Sequence, residues 1–406
     1  MIQPSIALLG APGKTHPVID AFGRRMQVGS LRVTFPDGTS RSYTGATSGP
    51  EAEIHFRRPG KLLRRLVGGG DLGFAEGYMD GDFDTPDLFA LLRLAAANME
   101  AWEEMLSGNR LYQFVQRAIH LARPNSQRGS KRNIAYHYDL GNGFYEAWLD
   151  ETMTYSSARF EGPNQRLGDA QRAKYRSLAD YLDLRPGQKV LEIGCGWGGF
   201  AEYAAREAEV EVTAVTISRE QFAYAKERIR RAGLEDRVEI RFQDYRDVEE
   251  RFDRIASIEM FEAVGEAYWP LFFEKLRGRL KSGGRAALQI ITIDEAAFEH
   301  YRRGSDFIQR YIFPGGMLPS LEVLKRETRS AGLAWAGELS FGHDYARTLA
   351  RWRERFERAW PRILETAGGK AFDERFRRMW NYYLAYCEAG FRSGRIDVRQ
   401  IALAHA

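Results

Sequence analysis

The chain has 406 residues, 44% of them hydrophobic, so a large core can form and general disorder is excluded. A formal net charge of +4 is too small to argue for nucleic acid as a partner. The two cysteines, Cys195 and Cys387, cannot make a disulfide framework and fit no zinc spacing; no metal site is expected, and a reducing cytoplasm suits the chain.

Residues 1–10 lack a basic leader and a full apolar core, so no signal peptide is expected. No run of about 18 apolar residues is present, so none should span a membrane. Residues 31–35 and 42–44 flank Pro36-Asp37-Gly38 and read as a hairpin. Arg57, Arg58, Lys61, Arg64 and Arg65 then place five positive charges within nine residues. They form either a solvated helix face or a patch that meets anionic head groups. Glycines 68–70, 73, 77 and 81 suggest a loop-rich stretch. Residues 88–94 and 111–121 read as amphipathic helices. Residues 123–133 are polar with Pro and Gly and read as a linker.

Residues 133–145 and 149–158 crowd Tyr, His, Asp and Asn into an apolar frame. Each buried hydroxyl or imidazole would need a partner, which is unusual for plain core.

Residues 190–193 are an apolar run after Pro186-Gly187, hence a buried strand. Glycines follow at 194, 196, 198 and 199, and then 200–206 have the composition of a helix. Strand, glycine turn and helix let backbone N–H groups approach a ligand at a helix N-terminus. A dinucleotide fold would place its third glycine later and an acid at the end of the next strand. Here Glu192 precedes the glycines, and the next strand, 210–216, ends in Thr216, Ile217, Ser218 and Gln221. Neutral polar groups there suit a nucleoside, and the reading is S-adenosylmethionine (SAM). Asp244-Tyr245 follow a third strand, 238–242, where an acid can hold the adenine amino group.

A fourth strand, 252–258, ends at Glu259-Met260-Phe261-Glu262. Ligands of open α/β sheets sit at the carboxyl ends of strands, so Glu262 lies where chemistry would occur. The alternative is a carboxylate at a helix start. Residues 271–280 are an amphipathic helix ended by Gly283-Gly284. A fifth strand, 285–293, carries Gln289 and Ile291 near its end. The segment 294–325 is rich in aromatics, including Phe298, Phe307, Tyr311 and Phe313. It either roofs an acyl tunnel or packs as ordinary core. In 348–360, Trp352, Phe356 and Trp360 share a helix face, which suits a helix packed on its domain better than one lying in a membrane interface.

Several of these segments together resemble the cyclopropane-fatty-acyl-phospholipid synthase family. They are His137-Tyr138-Asp139 with Gly141-Asn142, Met153 to Ser156, Glu192 to Gly199, and Thr216 to Gln221. Met260-Phe261-Glu262, Tyr311 to Gly316, Asp344-Tyr345 and residues 382–392 extend the likeness in order. The resemblance implies an α/β class I SAM-dependent methyltransferase, a Rossmann-like seven-stranded sheet with a smaller N-terminal α+β domain. Residues 1–125 would dock lipid or a second subunit, 126–133 would link, and 134–406 would be catalytic. The cofactor would meet Tyr155, Ser156, Glu192, Gly194, Cys195, Gly196, Trp197, Gly198, Thr216, Ile217, Ser218, Gln221, Asp244 and Tyr245.

An alkene is a weak nucleophile, so methyl carbon and double bond must be held at near-attack distance. The resulting cation needs a dry aromatic wall. Tyr136, Tyr155, Phe160, Trp197, Tyr311 and Tyr345 are candidates. A base then removes a proton. The resemblance implies that this base is a bound bicarbonate, held by Glu262, Tyr345 and the backbone of Ile291. The chain departs from the family where Ser157 replaces a cysteine, Gln289 a histidine and Ala263 another histidine. Ser157 and Gln289 can still hydrogen-bond, but neither titrates like an imidazole. Cys387 matches a family cysteine once proposed as catalytic, although packing explains it more simply; Cys195 is a small side chain under the cofactor.

The function expected first is transfer of the SAM methyl, as methylene, onto an unsaturated phospholipid acyl chain to form a cyclopropane. A methyl- or methylene-branched chain is the first alternative. A small soluble acceptor is the second, and a non-catalytic lipid-binding protein the third. The expected location is cytoplasmic, peripheral on the inner membrane surface, as a homodimer or higher homo-oligomer.

Overall fold

The computed structural model describes residues 16–107, 140–366 and 372–405. The helix expected at 111–121, the linker at 126–133, Tyr136 and His137-Tyr138-Asp139 lie outside the described residues. The described chain forms two compact units: residues up to 107 with 372–389, and residues 140–366 with those from 390 on.

The first unit holds α1 (His16–Gly23), β1 (Val28–Thr34), β2 (Ser40–Thr44), β3 (Thr47–Phe56), α2 (Pro59–Met79), β4 (Phe83–Asp84) and α3 (Leu88–Ser107). Its sheet runs β2-β1-β3-β4. The expected hairpin is present, with Leu31 opposite Tyr43. Val33, Phe35, Ile54, Leu62, Phe83 and Leu91 form its core.

Two readings change here. The glycine-rich stretch is helical: α2 runs through it and breaks only at Gly70, at φ 55° and ψ −129°. After that break the helix packs back on itself, and small residues allow it. A Cβ on Gly73 would lie 2.0 Å from the Arg65 carbonyl oxygen. The basic cluster, in turn, is largely compensated within the chain. Arg58 and Lys61 pair with Asp82, at 2.8 and 3.5 Å. Arg65 pairs with Glu76, Asp80 and Asp82, and Arg57 with Asp84. Charges engaged in this way attract a phosphate surface weakly, so the head-group reading of this cluster loses its basis.

The second unit contains α4 (Asn142–Trp148), α5 (Leu167–Leu182), β5 (Lys189–Ile193), α6 (Gly199–Glu207), β6 (Glu211–Thr216), α7 (Arg219–Ala232), β7 (Val238–Phe242) and β8 (Phe252–Ile258). It continues through α8 (Trp269–Arg279), β9 (Leu280–Ile293), α9 (Glu295–Arg303), α10 (Leu321–Ser330), β10 (Leu333–Ser340) and α11 (Gly342–Thr366). α12 (Glu374–Arg392) and β11 (Ile396–His405) follow. Residues 372–389 of the α12 segment group with the first unit, so the span expected to be one catalytic domain is interrupted. Arg378 accounts for much of this: it donates to Asp84 at 2.7 Å and to the Tyr78 carbonyl at 2.8 Å, with its guanidinium over the Tyr78 ring.

The large sheet has seven strands in the order β10-β11-β9-β8-β5-β6-β7. Only β11 runs antiparallel to its neighbours. This is the class I methyltransferase sheet that was expected. Apolar clusters fill both faces, one around Phe261, Trp269, Phe272 and Leu288, the other around Leu178, Val190, Phe200 and Ala204. β9 starts earlier than expected and carries Gly283-Gly284 within it rather than as a helix stop. The parallel order β5-β8-β9 brings the ends of three strands side by side, which is where the candidate residues gather.

Candidate active site

The turn after β5 needs its glycines for different reasons. Gly194, Gly196 and Gly198 have φ of 80°, 52° and 81°, which L side chains rarely adopt. A Cβ on Gly194 would sit 2.6 Å from Met260 Cγ, and one on Gly199 2.4 Å from the Tyr175 hydroxyl. Above Gly196 nothing lies within 4 Å, so the backbone there is open to a ligand at the start of α6.

Around this turn the expected cofactor residues take distinct parts. Ser218 caps α7 by accepting from Gln221 N–H, and the Thr216 hydroxyl donates to Gln221 Oε1 at 3.0 Å. Ile217 between them is 64% exposed and offers an apolar plate for a base. Asp244 pairs with Arg246, through Nε at 2.9 Å and Nη2 at 2.5 Å. Its carboxylate is therefore shared between that arginine and any adenine amino group. Tyr245 packs edge-on against Phe272. Trp197 donates its indole N–H to Asn142 Oδ1 at 2.8 Å and packs at a tilt against Tyr145. Glu192 is buried, and burial pushes its carboxyl up to about 8 against the opposing pull of Lys174. Burial also pushes the Cys195 thiol well up, which suits packing and not nucleophilic attack. An open glycine turn, an exposed apolar plate and neutral polar rims fit the nucleoside and sulfonium of SAM.

Three of the six expected catalytic residues, Tyr345, Ser157 and Gln289, meet at the end of β8 around a residue that sequence reasoning passed over, while Glu262 and Ile291 pair with each other beside them. Glu259 Oε1 accepts the Ser157 backbone N–H at 2.8 Å and Gln289 Nε2 at 2.7 Å. Its Oε2 accepts the Tyr345 hydroxyl at 2.6 Å. Glu259 has a φ of 49°, a strained conformation for a non-glycine residue. Ser157 contributes its backbone only, since its hydroxyl turns to the Ala158 carbonyl. Glu262, one short turn on, accepts the Ile291 N–H at 2.6 Å through Oε1. Its Oε2 is enclosed and accepts nothing from the described residues. Both glutamates keep a partly exposed surface as whole residues, yet their carboxyls are deep enough for burial to dominate. Burial and then the Glu259 charge push Glu262 up to about 8; burial also raises Glu259, against Tyr345 and Lys174.

Lys174 of α5 is fully buried and donates to Ser156 Oγ at 2.7 Å. Burial lowers its ammonium to about 8, while Glu259, Asp150 and Glu192 pull the other way. The bicarbonate implied by the resemblance does not fit this arrangement. Three of its expected holders, Ser157, Gln289 and Tyr345, already bind the Glu259 carboxylate, and Ile291 binds Glu262.

Aromatic rings frame this end of the sheet. Tyr155 lies 5.3 Å from Trp352, 5.7 Å from Trp148 and 6.5 Å from Phe313 of the 294–325 insertion, centroid to centroid. Tyr345 packs at a tilt against Phe391, with ring centroids 4.4 Å apart. Tyr311 packs on Phe307. Phe160 is covered by the Arg347 guanidinium at 3.8 Å. Trp352, Phe356 and Trp360 are buried, so the α11 face packs inward and is not an interfacial membrane face. No helix among the described residues is long and apolar enough to cross a membrane. Cys387 lies in the α12 segment of the first unit and is half-buried.

The seven-stranded sheet, the open glycine turn and the acid-lined strand ends define a SAM-dependent methyltransferase. The sequence profile described as mycolic acid cyclopropane synthetase matches residues 125–401, and the chain belongs to that family. It is 39% identical over 395 residues to the tuberculostearic acid methyltransferase of Mycobacterium tuberculosis, covering 92% of this chain and 87% of that one. It is 35% identical over 371 residues to the cyclopropane-fatty-acyl-phospholipid synthase of Escherichia coli K12, covering 89% and 90%. Among solved structures, a cyclopropane synthase from Mycobacterium tuberculosis aligns with a TM-score of 0.62 at 29% identity, over 67% of this chain and 97% of that one. A mycolic acid cyclopropane synthase complexed with SAH and CTAB aligns with the same TM-score of 0.62 and the same 29% identity and coverage of 67% and 97%.

Proposed function

We propose that this enzyme methylates the double bond of an unsaturated phospholipid acyl chain and releases a methylene-branched chain. The observation that carries this reading is the juxtaposition of an open SAM cradle with a carboxylate pair inside an aromatic frame. When bound, SAM supplies an electrophilic methyl group. The residues described here do the rest. The turn at 194–199 fixes the cofactor. Tyr155, Trp352 and Tyr345 present π faces that stabilise positive charge on the acyl chain and exclude water. The glutamates at the end of β8 supply a proton acceptor where the charge develops.

The branched product is favoured over the ring by the relative that matches 92% of the chain, which is named for a tuberculostearic, branched product. Cyclopropane formation is the second reading, supported by the 35% identity to the Escherichia coli synthase. We further propose that the protein works at the cytoplasmic membrane surface and that the first unit docks lipid or a second copy of the chain.

The test uses purified protein, labelled SAM and vesicles of monounsaturated phospholipid, read by lipid mass spectrometry. Derivatisation of alkenes separates a methylene branch from a ring. Label in a derivatisable methylene supports the proposal, and label in a ring replaces it with the second reading. SAM binding without lipid-soluble label rules out the substrate class.

A further inference from the structure

We propose that the Glu259 carboxylate is the base of this reaction, standing where the family resemblance implies a bicarbonate ion, so that catalysis needs no soluble anion. The inference rests on the methyl-transfer reading above and deepens it.

Three observations carry it. First, an ionised carboxylate only accepts hydrogen bonds, with about four lone-pair sites. Glu259 receives three donors, from Ser157, Gln289 and Tyr345, at 2.6–2.8 Å. That arrangement is matched to an anion and leaves about one site for an incoming proton. Second, the backbone at Glu259 is held at φ 49°. A conformation of this kind costs on the order of 1–3 kcal/mol and persists where surrounding structure enforces it, commonly at functional sites. Third, the two glutamates differ in what supports them. Lys174 faces Glu259 with a buried positive charge, whereas Glu262 has one backbone donor and an enclosed second oxygen. Neighbouring carboxyls with unequal support separate into an anion and a neutral acid. Glu259 is the anion and Glu262 the acid.

The step balances without another reactant. The alkene π pair forms the new C–C bond to the methyl carbon as the bond from that carbon to the SAM sulfur breaks, its electron pair leaving on sulfur as the neutral thioether of S-adenosylhomocysteine, and the other alkene carbon becomes cationic. A hydride shift moves the positive charge onto the carbon bearing the new methyl. A C–H pair of that methyl becomes the second bond of the methylene group, and its proton passes to Glu259. Without the shift, the same C–H pair closes a ring, and the proton goes to the same place. The departures at Ser157 and Gln289 then have a cause: once the anion is covalently attached, the site no longer needs a titratable histidine or a thiol to hold it.

The test compares wild type, E259Q and E259G on the vesicle assay, in carbon-dioxide-free buffer and with added bicarbonate. Wild type should be indifferent to bicarbonate. E259Q keeps the size of the side chain and should lose about 10²–10⁴-fold in transfer rate, with SAM affinity by calorimetry within about threefold. E259G suits the positive φ, so it should fold. It should bind 13C-bicarbonate by NMR, which wild type should not, and regain part of its rate with bicarbonate or formate. A wild-type rate that collapses without bicarbonate, or an E259Q rate equal to wild type, overturns the assignment of the base. Wild-type protein that binds SAM but labels no lipid overturns the reading beneath it and the assignment together.

Discussion

Replacing Tyr345 by Phe isolates one hydroxyl. The ring stays in place against Phe391 and Trp352, while the 2.6 Å bond to Glu259 Oε2 is lost. A hydrogen bond to a charged group contributes about 1.5–3 kcal/mol. At about 1.36 kcal/mol per pKa unit, its loss raises the Glu259 pKa by roughly one to two units. The sign follows from the donor: Tyr345 stabilises the ionised form, so its hydroxyl holds the pKa down. Lys174, Glu262, Gln289 and the Ser157 N–H still face the carboxylate and keep their own effects. Single-turnover transfer to vesicles, with SAM saturating, should show its acid limb shifted to higher pH by about one to two units. The alkaline plateau should change little. An unmoved limb with a depressed plateau would refute the reasoning, because the hydroxyl would then be acting on the acyl cation and not through Glu259.

Lys174→Met should also move the acid limb upward. Removing one side of a buried charge cluster should in addition cost about 3–5 kcal/mol, seen as a lower melting temperature. Gly194→Ala forces a Cβ to 2.6 Å from Met260 Cγ at a φ of 80°. It should lose about 1–3 kcal/mol of stability and weaken SAM binding measured by calorimetry. Glu192 and Glu262 are raised to about 8 in the folded chain. The folded state therefore holds more protons than the unfolded one from about pH 4.5 upward, so their contribution to stability is lost as pH rises through 8. Lys174, lowered to about 8, works the other way only above that pH. Melting curves that rise between pH 5 and 8 would contradict this pairing. Cys387→Ser should leave transfer within about twofold, since the acid–base groups described need no thiol.

The sheet was legible because its strands are short apolar runs ended by glycines or polar clusters, and residues 190–216 carry this pattern plainly. Helix α2 was not legible: its glycines looked like loop residues, because only the folded helix shows that Gly73 and Gly77 permit a close return. For a similar reason the basic cluster left both a solvated helix face and a head-group patch open. Its acidic partners, Asp80, Asp82 and Asp84, lie some twenty residues on in the chain and meet it only through the fold. Within the site, Glu262, Tyr345 and Ile291 could be placed by resemblance. Glu259 could not, because no motif of the resemblance marks it and its donors Ser157, Gln289 and Tyr345 meet it only through the fold. The usable signal was indirect. Ser157 and Gln289 had lost two ionisable groups, and a compensating charge nearby was worth seeking.

The most direct test of the chemistry uses SAM carrying a fully deuterated methyl group and monounsaturated phospholipid vesicles. If a base removes a proton from the transferred carbon, the lipid product gains one carbon bearing two of the three deuterium atoms. A product that keeps all three, or deuterium found only in a water-soluble acceptor, would contradict transfer onto an alkene followed by proton loss to Glu259.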